Sequence, residues 1–141
     1  MEYIVNKKNS DPLVSIILLD WGVRESFHSV YYLNKQKISR EKYEIIWVEF
    51  YDRKPEELVE MTKIGNLDKW IILGYSNDVY YHKHLLINAG IIASEGKICV
   101  FCDSDAIFMP TFIESIINAF ETDQNIVVHL DEIRNGSKRF Y

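Results

Sequence analysis

Short apolar segments alternate with amphipathic ones along this chain, and no other sequence feature limits its possible folds as strongly. Five apolar segments are predicted as strands: Leu13–Leu19, Tyr43–Phe50, Trp70–Tyr75, Lys97–Cys102 and Ile126–Leu130. The four segments between these strands are predicted as helices: Val23–Lys37, a short helix opened by Pro55, Tyr80–Ser94, and a helix opened by Pro110. The first strand, LVSIILL, is apolar at nearly every position, as a strand buried on both faces should be. The alternation therefore predicts an α/β fold, a Rossmann-like three-layer sandwich with a mostly parallel sheet flanked by helices.

The length, charge and cysteine spacing of the chain exclude several classes of protein. The 141 residues suit one domain, 1–141, and the net charge of -5 argues against a nucleic-acid partner. The start, MEYIVNKKNSDP, does not resemble a signal peptide, and no apolar run is long enough to cross a bilayer. The odd spacing of Cys99 and Cys102 puts them on opposite faces of one strand, where we expect small buried residues in a reducing compartment. These features predict a cytoplasmic protein with no transmembrane segment.

Acidic residues follow three of the predicted strands. Asp20 comes after the first, Glu49 ends the second, and Asp103 with Asp105 follows the fourth. Ligands of such sheets bind at the carboxyl ends of the strands. If the first and fourth strands are neighbours, these acids meet in one crevice, with Asp103 and Asp105 at the end of a central strand. Two carboxylates one residue apart repel each other, and a cation would relieve the repulsion.

Three segments resemble family 2 glycosyltransferases, which have the GT-A fold. VSIILLDWGVRESF occupies the place of the family's VSIIIPTYNREESL, and YEIIWVEFYD resembles the strand that ends in VDDGSTD. NAGIIASEGKICVFCDSD is similar to the signature RNxGxxxAxGxxxxFxDxD, with both aspartates in register. The likeness covers about residues 13–131 and implies the nucleotide-sugar-binding part of such an enzyme.

The resemblance also implies roles for individual residues. Asp103 and Asp105 match the DxD motif, in which the first carboxylate contacts ribose and the last binds a divalent metal, manganese or magnesium, held by the donor diphosphate. Glu49 stands where the family has an acid that contacts uracil, which suggests a UDP-linked sugar. The implied nucleotide-sugar-binding residues are Leu19, Asp20, Trp21, Glu49, Lys83, Asn88, Asp103, Ser104 and Asp105, with Asp103 and Asp105 as metal ligands.

The chain also departs from the family pattern. Ile87 replaces the usual Arg before the Asn, and Lys83 is a nearby cation out of register. Family catalytic domains continue into an acceptor-binding half that supplies the catalytic base. Asp131 and Glu132 come too early to match it, so the catalytic residue and the acceptor stay unidentified. We expect a truncated domain that binds donor, transfers sugar poorly alone, and self-associates through the exposed rim of its sheet.

Other interpretations stay open for the same residues. The two aspartates could form a solvated turn ahead of Pro110, Trp21 could simply pack, and Asp20 could cap a helix. The chain could be a non-catalytic nucleotide-binding or interaction module derived from a transferase. It could also be a signalling receiver domain, but that class needs an Asp after the third strand, where Gly74-Tyr75-Ser76 stands.

Overall fold

A computed structural model describes residues 1–8, 11–22 and 26–128. The strands are β1 (Glu2–Asn6), β2 (Val14–Asp20), β3 (Tyr43–Tyr51), β4 (Lys69–Tyr75) and β5 (Ile98–Asp103). The helices are α1 (His28–Leu33), α2 (Glu56–Lys63), α3 (Lys83–Ala93) and α4 (Phe112–Thr122), with one 3-10 turn at Arg40–Lys42. None of the helices in these described ranges is long and apolar enough to span a membrane.

The five strands form one mixed sheet in the order β1-β4-β3-β2-β5. The pairs β2–β3, β2–β5 and β3–β4 are parallel, and β1 pairs antiparallel with β4. The pairs β2–β3 and β3–β4 are each joined by a crossover that contains a helix, and α3 connects β4 with β5 on the far side of β2. The predicted α/β architecture, a mostly parallel sheet flanked by helices, is confirmed.

Helices cover both faces of the sheet and create two apolar layers. On one face, side chains of α1, α2 and α4 pack against a cluster that includes Trp47 and Trp70. On the other face, α3 packs against Ile17, Leu19 and their neighbours. A Cβ atom added to Gly90 of α3 would lie 2.4 Å from Ile17 Cγ2, so only glycine lets this helix come so close to the sheet.

A buried polar network joins α3 to the amino ends of the strands. Lys69 Nζ lies 2.7 Å from Glu44 Oε2 and donates a hydrogen bond to the Ala93 carbonyl at 2.7 Å. Ser15 Oγ donates to Glu44 Oε1 at 2.6 Å. The charges of Glu44 and Lys69 compensate each other inside the fold, so neither is left as a lone buried charge.

Some predictions about individual elements are wrong. The predicted strand at Ile126–Leu130 is not formed at 126–128, because these residues pair with no strand in the described part of the chain; residues 129 and 130 lie outside it. Strand β1 was not predicted, since five mostly exposed residues carry little apolar pattern. The predicted helix Val23–Lys37 is a shorter α1, with 23–25 outside the described residues.

Strand β5 also differs from expectation. It is the last strand of the sheet among the described residues, so Asp103 and Asp105 do not follow a central strand. Because α3 covers the inner strands, the face of β5 that carries Cys99 and Phe101 is exposed, and the prediction of a buried Cys99 is wrong. Self-association through this rim stays a prediction.

Candidate functional site

The carboxyl ends of β2, β3 and β5 bring most of the predicted site residues together. Parallel register places Asp20 beside Glu49 and Leu19 beside Asp103. The pairing continues one residue past β5, where Ser104 N donates to the Leu19 carbonyl at 3.1 Å. The first and fourth predicted strands are therefore neighbours, and the acids that follow them do meet at one edge of the sheet.

Asp20 and Glu49 form a buried acidic pair at the centre of this edge. Ser104 Oγ donates to Asp20 Oδ1 at 2.8 Å, and Tyr51 N donates to Glu49 Oε1 at 3.2 Å. Outside this pair, no described residue donates a hydrogen bond to the other, buried oxygen of either carboxyl group. Burial, and then the charge of Asp20 and a hydrogen bond to it, raise the pKa of Glu49 to about 8. Glu49 therefore keeps its proton at neutral pH and can donate it to Asp20.

Asp103 and Asp105 lie nearer to solvent and have different partners. Lys83 Nζ, at the start of α3, donates to Asp103 Oδ1 at 2.6 Å, and both side chains are about half exposed. Asp105 is exposed, and its backbone carbonyl accepts a hydrogen bond from His28 Nε2 at 2.9 Å. A cation thus already lies against the first carboxylate of the pair.

A cleft of about 400 Å³ opens beside the acidic pair, at the ends of β2 and β3. Its lining residues are Trp21, Gly22, Tyr51, Asp52, Arg53 and Asn77. The Trp21 ring packs on the ring of Tyr81 with centroids 4.7 Å apart. Tyr51 Oη donates to the Val79 carbonyl at 3.1 Å, which ties the loop after β4 to the end of β3. The volume is within the range of small-molecule sites, and the aromatic lining suits a planar ring.

The structure separates the predicted residues into three groups. Trp21 lines the cleft, whereas Leu19, Asp20, Glu49 and Ser104 are buried and do not line it. Lys83 and Asp103 pair on the exposed side toward α3, and Asp105 is exposed with its backbone carbonyl beside His28 of α1. Asn88 lies further along α3 with an exposed side chain. Glu49 is 1% exposed and is absent from the cleft lining.

Sequence reasoning missed the part of the cleft that β3 contributes. Tyr51, Asp52 and Arg53 directly follow the strand that was predicted to end at Phe50. An aromatic, an acid and a base in consecutive positions at a strand end were a usable signal. The family pattern assigns contact with the base to Glu49 and gives these three positions no role.

A divalent cation would find suitable ligand chemistry at Asp103 and Asp105. No three His, Cys, Asp or Glu side chains within the described ranges form a group that could hold a metal ion. Magnesium, however, is commonly held by one or two carboxylates together with substrate phosphates and water. The two exposed carboxylates fit that mode of binding.

Comparison with models of known protein families gave a match over most of the chain. The family model described as Glycosyl transferase family 2 matches residues 23–141. The matched range begins after β2 and includes the cleft residues at the end of β3 and both aspartates at the end of β5. A search of curated proteins gave no match.

Proposed function

Since this chain belongs to glycosyl transferase family 2, we propose that its carboxyl-edge cleft binds a nucleotide-diphosphate sugar, with a UDP-linked sugar as the donor. Donor binding is the first half of the family's chemistry, and transfer to an acceptor hydroxyl is the second. The observation that supports this function best is the pairing of β2 with β5. It brings the DxD residues beside the turn that carries Trp21.

The cleft offers separate places for the base and for the phosphates. Trp21 and Tyr51 provide aromatic surface for a planar base at the ends of β2 and β3. Asp103 ends β5 and Asp105 lies two residues further on, on the other side of β2. Neighbouring strands lie about 4.8 Å apart, so base and diphosphate sites on β3 and β5 are separated by roughly 10 Å. A nucleoside diphosphate is long enough to reach both.

The negative charge where the diphosphate would bind favours a bound cation. A diphosphate placed against Asp103 and Asp105 meets like charge, and Lys83 already occupies the first carboxylate. Manganese or magnesium, when bound there, neutralises charge that builds on the departing diphosphate. In the proposed arrangement Asp105 holds the metal, Asp103 lies toward the ribose, and Lys83 keeps Asp103 in place.

Calorimetry with UDP tests this proposal. UDP should bind the wild-type chain more tightly with manganese than with EDTA, and Asp105→Asn should remove that difference. Asp123→Asn is the matched control, because Asp123 is an exposed aspartate outside the site. Equal affinity with and without metal in the wild type would contradict the proposed metal role, and no UDP binding under either condition would overturn donor binding.

A non-catalytic nucleotide-binding module is the second candidate, and the burial of Asp20 and Glu49 favours it. A general base must reach the acceptor hydroxyl, and neither carboxyl is exposed to do so. Incubation with UDP-sugars, manganese and a panel of sugar acceptors separates the two candidates. Release of UDP that depends on acceptor would identify a transferase, while binding without release would identify the module.

A further inference from the structure

His28, the first residue of α1, lies against the segment that carries the second DxD aspartate. Its Nε2 atom donates a hydrogen bond to the backbone carbonyl of Asp105 at 2.9 Å. Because a carbonyl oxygen only accepts hydrogen bonds, Nε2 carries the proton of the neutral ring and Nδ1 is the acceptor. The Ser26 hydroxyl lies 3.0 Å from Nδ1 and donates to it. The sequence gave no reason to assign His28 to the site, since its contact with Asp105 spans 77 positions of the chain.

The orientation of the His28 ring is also fixed by packing. Tyr32, one turn further along α1, places its ring edge-on to the imidazole, with centroids 6.4 Å apart. The ring is therefore held by Ser26 at one nitrogen and by Tyr32 along its side. A donor that is oriented in this way holds its acceptor more firmly than a side chain that is free to rotate.

The contact with His28 fixes the peptide unit that follows Asp105. The Asp105 carbonyl and the Ala106 N–H belong to the same planar unit. Ala106 N donates to the Asp103 carbonyl at 3.1 Å, while His28 binds the opposite end of the unit. On the amino side of Asp105, the preceding residue is bound to the end of β2 through its N–H. The backbone is thus anchored before and after Asp105, and this anchoring sets the direction in which its side chain leaves the chain.

We infer that His28 is a positioning residue for Asp105 in the metal site. It holds the peptide unit after Asp105, and through it the carboxylate, in the place where a divalent cation on the donor diphosphate binds. This inference rests on the proposed function, in which Asp105 holds the metal, and it adds α1 to a site otherwise built from strand ends. His28 is not itself a ligand, because both of its ring nitrogens already have partners.

Other contacts tie the same loop to the residues at and after the end of α1. Gln36 Nε2 donates to the Met109 carbonyl at 2.9 Å, and Lys37 N donates to the Pro110 carbonyl at 2.8 Å. These bonds hold the loop four and five residues beyond Asp105. If any anchor of the loop served the metal site, loss of the Gln36 side chain would matter as much as loss of His28. The inference predicts that only the anchor at Asp105 itself affects the metal.

Calorimetry with UDP, in manganese and in EDTA, tests the inference on the wild type and four variants. The quantity compared is the ratio of the two affinities. His28→Ala should lower this ratio about tenfold, the low end of the range for partners that orient a metal ligand, because His28 holds the backbone and not the carboxylate. The affinity in EDTA should stay at the wild-type value, since the nucleotide contacts themselves are unchanged.

Three variants separate positioning from a purely structural role. His28→Gln keeps an N–H donor at a similar reach and should restore most of the wild-type ratio. Ser26→Ala removes the donor to Nδ1 and should lower the ratio by a smaller factor than His28→Ala. Gln36→Ala is the matched control and should keep the wild-type ratio, whatever its effect on stability. Circular dichroism melting shows which variants retain the fold; Ser26, which is exposed, keeps the test valid should His28→Ala unfold.

The possible failures are distinguishable. An unchanged ratio in His28→Ala and Ser26→Ala, with clear manganese dependence in the wild type, would overturn the inference and leave the metal site standing. It would also be overturned if His28→Ala weakened UDP binding equally in EDTA and manganese, if His28→Gln restored nothing, or if Gln36→Ala lowered the ratio as much. If the wild type binds UDP equally with and without manganese, the proposed metal role fails and this inference fails with it.

Discussion

Replacement of Glu49 by glutamine should change how the stability of this protein depends on pH. Burial and the neighbouring Asp20 raise the pKa of Glu49 from 4.5 to about 8, so the folded chain keeps a proton that the unfolded chain loses above pH 4.5. Raising the pH between these values therefore favours unfolding, and above about pH 8 the effect ends. Glutamine resembles the protonated acid, because its amide can also donate to Asp20.

The size of the effect follows from the two pKa values. One pH unit corresponds to about 1.4 kcal/mol of unfolding free energy for one proton, so the interval from pH 5 to pH 8 amounts to about 4 kcal/mol at most. Because Glu49 is 1% exposed, solvent screening hardly lowers this free-energy difference. Relaxation of the Asp20–Glu49 pair lowers it more. We expect wild type and Glu49→Gln to have similar stability at pH 5, and the wild type to be less stable by about 2–4 kcal/mol at pH 8.

Urea denaturation at pH 5, 6, 7 and 8 measures this difference directly. Glu121→Gln removes an exposed glutamate and should follow the wild type at every pH. If the difference between wild type and Glu49→Gln changes by less than about 1 kcal/mol over this range, Glu49 is not protonated in the fold and our description of the acidic pair is wrong.

Three further substitutions test other parts of the structure. Gly90→Ala should lower the free energy of unfolding, measured with urea, by about 1–3 kcal/mol, because the new Cβ would overlap Ile17 of β2. Unchanged stability would show that α3 can move away from the sheet without cost. Lys69→Met should lower the free energy of unfolding by about 3–5 kcal/mol, because it leaves the buried Glu44 without its cation. Replacing Glu44 by leucine in the same chain should restore much of that stability. A single variant as stable as the wild type would contradict the ion pair. Lys83→Met should raise the affinity for manganese in a direct titration by freeing Asp103, and unchanged affinity would separate Lys83 from the proposed metal site.

The layout of the fold was predictable because its central strands are nearly continuous apolar runs. β2 and β3 are buried on both faces and cannot be mistaken for amphipathic segments. Pairing of β2 with β5 was predicted only conditionally, since apolar pattern does not determine strand order. Strand β1 was not predicted, because it is a strand through its pairing with β4 and its own residues show no clear apolar pattern.

The sequence indicates the acidic residues at the strand ends, but it does not indicate the side chains that line the cleft. Asp103 and Asp105 stand out in sequence because carboxylates rarely interrupt apolar runs. The side chains that line the cleft depend on the turn at Gly22 and on how far β3 continues, and both follow from tertiary packing. The contact of Lys83 with Asp103 depends on the position of α3, which no local pattern gives.

The central claim is that the cleft beside Trp21 binds the donor nucleotide, and the three tryptophans of the chain test it directly. Trp47 and Trp70 are fully buried in the core, whereas Trp21 lines the cleft. The measurement is the indole N–H region of a ¹⁵N-labelled spectrum during titration with UDP and magnesium, with the Trp21 signal assigned by Trp21→Phe. We predict that the Trp21 signal shifts with saturation while the Trp47 and Trp70 signals stay nearly constant. A Trp21 signal that does not move when UDP is bound would contradict the claim that the nucleotide occupies this cleft.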